Sequence, residues 1–399
     1  MSSPLSGVRV LDLTQVLAGP FTGRLLGDLG ADVIKVEQPE AGEPSRGMGP
    51  YFLNGESYYY LGFNANKRGI TLNLGGPQGR EIFYDLVRVS DVILENFRPS
   101  VPPKLGIDYP TLRKINERIV YCSISGFGHG VASENRPAMD TNVQSLSGVM
   151  SIIGVEGQPP AVMGFPVGDL GGAYVAVSGI TTALFDRERT GKGRWVDISL
   201  LDVMVSLQGY IGTAYLVSGK EPGRVGSSHP TNTPVSAFKT KDGLFVQVQC
   251  PHQRLYEMLT EAIAKNTTGF EDLPKDPRFA TPNDRLKNRN ELYNVLARVF
   301  ATRTAEDWLA RLADIVPVSR VNTIGQALQE PSVVQRHMIP EVNHPVAGKY
   351  KMLGNPIKMG QDEVFGPPPT LGQHNEEVLR QVLGYTPEKI KTLRDAGAI

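Results

Sequence analysis

The chain has 399 residues, ample for a buried core and suggesting roughly two or three domains. Lys+Arg and Asp+Glu are equal at 41 each, so the formal net charge is zero, and no basic excess points to nucleic acid or an anionic membrane. Two cysteines, Cys122 and Cys250, are too few for a disulfide framework and fit a reducing cytoplasm, and the six scattered histidines include no pair at metal-ligand spacing.

The opening segment "MSSPLSGVRVLDLT" lacks a charged start followed by a long apolar run, so no signal peptide is expected. "VRVLDLT" reads as a strand. "GPFTGRLLGDLG" has helical spacing at Phe21, Leu25, Leu26 and Leu29 and stops at Gly30, and "ADVIKVE" is a second strand. This βαβ unit predicts a parallel sheet with a right-handed crossover. The pattern repeats through "GPQGREIFYDLVRVS" and "DVILENF", then "YPTLRKINERI" and "VYCSISGFG". A helix is predicted from Asp169 to about Arg189, a turn at "RTGKGRW" and a strand at "RWVDISLLD". The longest apolar stretch, "LLDVMVSLQGYIGTAYLV", contains Asp202, Gln208 and two glycines, and reads as a buried or interface helix rather than a membrane span.

Next, "VSGKEPGRVGSSHPTNTP" has the polar texture of a linker or binding loop. "SAFKTKDGLFVQVQC" predicts a hairpin with Asp242-Gly243 at its turn. Helices are expected near 252–264, 284–302 and 304–313, the last with Thr304 as N-cap and Asp307 three residues on. A final helix is expected at "QHNEEVLRQVLG". The fold class is therefore α/β: a Rossmann-like, doubly wound large domain over 1–217, a linker or active-site loop over 218–232, a small α+β domain over 233–330, and a segment over 331–399 that returns to the large domain.

Common site motifs are missing. A dinucleotide site wants G-x-G-x-x-G after the first strand, but that strand runs into "QVLAGPFTG"; "GFGHG" at 126–130 and Glu37 at a strand end do not replace it. There is no P-loop, no G-x-S-x-G and no H-E-x-x-H, and His129 and His229 read as loop residues. Attention falls on "GFPVGDLGGAYVAVSGITTAL", residues 164–184. Asp is a favoured N-cap, and Leu170 onward is helical, so Asp169 reads first as a cap. Glycines 164, 168, 171 and 172 also clear bulk from around it, so a ligand can approach closely. A helix N-terminus favours an ionised carboxylate and offers amides to an oxyanion, so a nucleophile is the second reading.

"GVRVLDLTQVLAGPFTGRLLGDLGADVIKVE", "NANKRGITLNL", "DVILENFRP", "GDLGGAYVAVSGI", "SSHPTNTPVSAFKTKDG" and "TLGQHNEEVL", in this order, resemble the family III CoA-transferases over essentially the whole chain. The resemblance implies an interlocked homodimer and an enzyme that takes CoA or acyl-CoA as substrate, with no metal and no permanently bound cofactor. It implies Asp169 as nucleophile. It implies a CoA site drawn from Val16, Leu17 and Ala18, from Gln38, and from Leu72, Asn73, Leu74 and Gly75. Asn96, Phe97, Arg98 and Lys104 belong to the same implied site, as do Arg136, Pro137, Ala138, Met139 and Asp140 of "RPAMD". Tyr59 matches a tyrosine near the acyl group. The formyl-CoA enzymes have glutamine at the position of Leu17, arginine at that of Gln38, and a glycine-rich loop that is absent here. Ser227, Ser228 and His229 lie in the nearest region and are expected to touch substrate. These departures speak against formate and oxalate as the specific substrates, while Gly and Ser in the 218–231 loop suggest room for a small polar acid, so a small dicarboxylate with a succinyl-CoA-like donor is the expected pair. The related racemases carry a catalytic histidine at the position of Met139, which holds no proton. A non-catalytic CoA-binding protein is the rival class.

Overall fold

The computed structural model describes residues 3–359 and 365–399; residues 360–364 of the expected returning segment lie outside the described residues. Six strands form one parallel sheet: β1 (Arg9–Asp12), β2 (Asp32–Glu37), β3 (Lys67–Thr71), β4 (Val92–Glu95), β5 (Val120–Ser125) and β6 (Trp195–Ser199). Their spatial order is β3-β2-β1-β4-β5-β6, the doubly wound order of a Rossmann-like sheet. The inner strands read as continuous apolar runs because helices cover both faces of such a sheet. Val10, Leu11, Ile34, Val92, Ile93 and Leu94 are accordingly fully buried. The helices Asn375–Gln381 and Pro387–Asp395 add Val378, Leu379, Ile390 and Leu393 to the same core; the sequence reading had only the first of them.

One charged cluster is enclosed beneath β1. The Lys67 ammonium lies 2.7 Å from Asp12 Oδ2 and donates to Asn64 Oδ1 and the Pro20 carbonyl, each at 2.8 Å. Lys35 donates to the Thr14 carbonyl and stands 4.0 Å from Asp12 Oδ1. Burial alone would raise the Asp12 pKa, but the two lysines overcome it and hold the carboxylate below its usual range. Burial pushes Lys67 the other way, down to about 8.

Two segments depart from the sequence reading. The strand expected through "RWVDISLLD" ends at Ser199, whose hydroxyl accepts from Asp202 N–H at 3.1 Å and starts a helix, Leu200–Leu207. The apolar stretch is not one helix either. It bends by 76° between Leu200–Leu207 and Gly209–Ser218, at Gly209 with φ +53°. The second piece buries none of its residues within the chain; Leu216 is 83% and Val217 84% exposed. Among the described residues no single helix is long and apolar enough to cross a membrane.

The chain divides into two compact units, 1–149 with 162–212 and 331–399, and 150–161 with 213–330. Residues 150–161 and 213–217 thus cluster with the second unit, where the sequence reading had them in the first. The second unit has an antiparallel sheet, β9-β8-β7, of β7 (Val235–Lys239), β8 (Phe245–Gln249) and β9 (Val318–Arg320). Gly243, at φ +82°, makes the predicted hairpin turn. Thr304 caps the helix Ala305–Leu312 by accepting from Asp307 N–H, as its spacing predicts.

The buried cluster yields a stability prediction. Asp12→Ala leaves two buried ammonium groups without their counter-charge, so it should cost about 3–5 kcal/mol at neutral pH. Urea denaturation compared with the wild type measures it; a loss under ~1 kcal/mol would mean the lysines find other partners.

Candidate active site

Strand order reverses between β1 and β4, and ligands of open α/β sheets bind beyond the carboxyl ends of strands at such a point. The two loops there are clamped together. Gln15 N–H donates to Asn96 Oδ1, and Asn96 Nδ2 returns a bond to the Gln15 carbonyl, both at 2.8 Å. Two cavities flank this clamp, both in the first unit, and Gln15 walls each of them.

The first cavity, of about 660 Å³, is walled by Val16, Leu17, Ala18, Tyr59, Ala138–Asp140 and Asp169. The second, of about 650 Å³, is walled by Gln38, Leu72–Gly75 and Phe97. Asn96 also reaches the first cavity, though its amide is committed to the clamp. Arg98, Lys104, Arg136 and Pro137 line neither; the Arg136 guanidinium lies 5.7 Å from the Phe127 ring centroid. Ser227, Ser228 and His229 belong to the second unit. The two serine hydroxyls meet Ser236 Oγ, and His229 Nδ1 accepts from the amides of Thr231 and Asn232. Gln15, Met48, Gln144 and Met163 wall the first cavity, and Glu43 and Gly397 the second, without any sequence motif marking them. His129 pairs with Asp197 at 2.9 Å and lines neither cavity, while Glu37 takes Arg46 in a two-pronged pair at 2.7 Å.

Asp169 does not cap its helix. The helix Val167–Thr190 begins with Pro166 at the N-cap, and Asp169 is the third residue of its first turn. The cap comes from a distant segment. Asp140, itself buried, accepts the amides of Gly168 at 2.7 Å and Asp169 at 3.2 Å on one oxygen, and its other oxygen accepts from Gln144 at 2.5 Å. The Asp169 carboxylate therefore keeps no hydrogen bond to any described residue. Burial, and then the Asp140 charge, push its pKa up to about 7. Tyr59 is pushed up to about 12 by burial and then by Asp169, so its hydroxyl keeps its proton beside that carboxylate.

Three of the four flanking glycines serve packing rather than ligand access. A Cβ at Gly168 would sit 2.9 Å from Asp140 Oδ1, one at Gly172 2.5 Å from Leu200 Cδ2, and one at Gly171 3.1 Å from Leu207 Cδ1. Only Gly164 has open space around it, on the wall of the first cavity.

The model of the CoA-transferase family III matches residues 5–375. The chain is 36% identical to the succinyl-CoA:glutarate CoA-transferase of Mus musculus, covering 99% of this chain and 90% of that protein. It is 38% identical to the acetyl-CoA:oxalate CoA-transferase of Acetobacter aceti, over 90% of each. A crystal structure of a CAIB/BAIF family protein from Brucella suis superposes with a TM-score of 0.84 at 33% identity, covering 96% of this chain and 100% of that one. The chain belongs to CoA-transferase family III and is an enzyme of that family.

The raised pKa of Asp169 has a consequence for stability. Its folded pKa lies above the unfolded value near 4, so ionising it in the folded protein is unfavourable and stability falls as pH rises from about 4 to about 7. Asp169→Asn removes that penalty. The variant should match the wild type near pH 4 and exceed it by roughly 1–3 kcal/mol at pH 8, after allowance for solvent screening. Denaturant titrations at the two pH values check this; an equal difference at both would show that Asp169 titrates normally.

Proposed function

We propose that the protein transfers CoA from an acyl-CoA donor to a small dicarboxylic acid, with Asp169 as a covalent nucleophile. The observation that carries this reading is the Asp169 carboxylate, which stands in the first cavity without a hydrogen bond to any described residue, Asp140 having taken the helix amides. The activities named for the relatives from Mus musculus and Acetobacter aceti support a dicarboxylate partner.

The chemistry balances without a redox agent. An Asp169 oxygen attacks the thioester carbonyl, the C–S bond breaks, and CoA leaves as the thiolate, giving a mixed anhydride. The thiolate attacks the aspartyl carbonyl and releases the donor acid as carboxylate, leaving Asp169 as a CoA thioester. The acceptor carboxylate attacks that thioester, the C–S bond breaks and CoA leaves again as the thiolate, giving a second anhydride. The returning thiolate then attacks its acyl carbonyl, which frees Asp169 and forms the new acyl-CoA. A carboxylate poorly solvated by the protein attacks more readily than one held by several donors, and a cavity that excludes water protects both anhydrides. Leu17, Met48, Met163 and Phe165 give the cavity an apolar wall suited to that exclusion.

Two further parts of the proposal are a homodimer and a site shared with no metal. The exposed apolar helix Gly209–Ser218 supports the dimer, because a face of this kind is ordinarily covered. Light scattering at low micromolar concentration should give twice the 43.5 kDa chain mass, and a clean monomer there removes the dimer.

The activity is tested by mixing the protein with succinyl-CoA and a panel of acids, with mass spectrometry of the products. Transfer to at least one dicarboxylate is expected. Asp169→Asn should lower it by several orders of magnitude, on the order of 10⁴-fold or more, and hydroxylamine should trap wild-type protein at Asp169. The same assay has a pH signature. Asp169 must be ionised to attack, so kcat/KM should rise with pH up to about 7 and then level off. Asp140→Asn keeps an acceptor for the helix amides and removes a charge, so it should move that limb to lower pH. Full activity in Asp169→Asn, or trapping at another acid, would end the reading.

A further inference from the structure

Val16 walls the cavity that holds Asp169, and its backbone is strained: φ is +69°, a left-handed conformation that a β-branched residue adopts only when held there. The chain turns at this residue from the loop after β1 into the helix Ala18–Asp28. Leu17 is the N-cap of that helix and has no side-chain cap of its own. The conformation of Val16 thus sets where Leu17 and Ala18 stand, and both wall the same cavity.

What holds Val16 is Glu43. Its Oε2 accepts the Val16 amide at 2.9 Å and the Ser45 amide at 3.4 Å. Its Oε1 accepts from the Ser45 hydroxyl and from Asn64 Nδ2, the latter at 3.3 Å. The residue is only 3% exposed and makes no ion pair with any described residue. Its own amide is fixed by Glu37 Oε2 at 3.0 Å, and Glu37 is in turn locked by Arg46. A buried carboxylate with no cation in direct contact, Lys67 acting on it only through Asn64 and at longer range, is expensive to keep, so its four donors define its purpose. Three of them belong to its own turn and the neighbouring helix. The fourth is the strained amide, 27 residues away in sequence.

We infer that Glu43 is a positioning residue for CoA transfer: its carboxylate holds Val16 in the left-handed turn that places the Leu17–Ala18 wall of the Asp169 cavity. The Asn96 clamp secures Gln15, and Glu43 secures the next residue, so two side chains from two loops fix consecutive peptide units. Without Glu43 the Val16 peptide relaxes to a right-handed or extended conformation, and the wall moves with it.

Glycine reaches the left-handed region freely, so the inference has a diagnostic double-mutant cycle. It rests on the proposed transfer activity for its kinetic readout. Glu43→Ala should lower kcat/KM for CoA transfer about ten- to a hundredfold, the scale of losing one strained backbone conformation. In the V16G background the same Glu43→Ala change should cost less than about threefold. Glu43→Gln retains an acceptor for the Val16 amide and should lose less than Glu43→Ala, which keeps the comparison available if the alanine variant folds poorly. Equal losses in the two backgrounds, or no loss in either, would overturn the role. Hydrogen exchange supplies a readout free of activity. Glu43→Ala should accelerate exchange at the peptide spanning Gln15–Ala18 while the β4 core stays protected; unchanged exchange there also overturns it. A wild-type protein that transfers no CoA ends the functional reading instead, and the Glu43 inference is then decided by exchange alone.

Discussion

The site depends on one interaction across 28 residues of sequence: the Asp140 carboxylate on the amides of Gly168 and Asp169. A helix N-terminus needs acceptors for its first amides, and an acidic residue in its first turn ordinarily helps to satisfy them. Asp140 meets that need from outside. The helix is then complete without Asp169, whose carboxylate is released from structural duty. The same carboxylate adds its negative charge to the burial that already disfavours ionisation of Asp169. Gly168 belongs to the device, because any side chain there would meet Asp140 Oδ1.

The sheet supplies the rest of the frame. Its reversal of strand order between β1 and β4 opens the crevice, and the Gln15–Asn96 clamp bridges that gap with backbone-directed bonds. Beneath the β1 end of the crevice lie Asp12, Lys35 and Lys67, and beside it the Glu37–Arg46 pair. These buried charges are directional. Asp12, Lys35, Lys67 and Glu37 each fix a carbonyl or amide of the 12–20 and 37–46 loops, which apolar packing alone would leave free to slide, and Arg46 reaches the Pro369 carbonyl. Rigid loops on a packed sheet are what a reaction with reactive anhydrides requires, since water must not enter between steps.

Much of the fold was legible because local rules and tertiary demands agree. The apolar runs at 9–12, 32–37 and 92–95 and the glycine stop at Gly30 need a parallel sheet, and the Asp242-Gly243 pair and Thr304 place a hairpin and a helix start. The breaks in the apolar stretch were not legible, because Ser199 and Gly209 act through a cap and a positive φ that periodicity does not register. Asp169 was found in sequence for a partly mistaken reason. Its position suggested a cap, and the cap is Asp140, a contact between segments that no spacing rule reports. The flanking glycines pointed to ligand access, whereas three of them admit Asp140, Leu200 and Leu207. Glu43 left no signal at all, since a lone acid in a Pro- and Gly-rich loop reads as solvated surface.

The ionisation of Asp169 has to satisfy two opposed requirements, and its surroundings show how far each is met. Nucleophilicity rises with basicity, so an aspartate with the usual low pKa is a weak attacker of a thioester. A pKa far above neutrality would leave the group protonated and unable to attack. A value of about 7 gives a carboxylate more basic than an exposed aspartate that is still substantially ionised in neutral solution. Burial and Asp140 raise it, and among the described residues no cation lines the cavity to bring it down again. A nearby arginine or lysine would lower the pKa and weaken the attack, and would also pair with the developing carboxylate products and slow their release. A wall without cations around Asp169 therefore serves the nucleophile and the departing acid together.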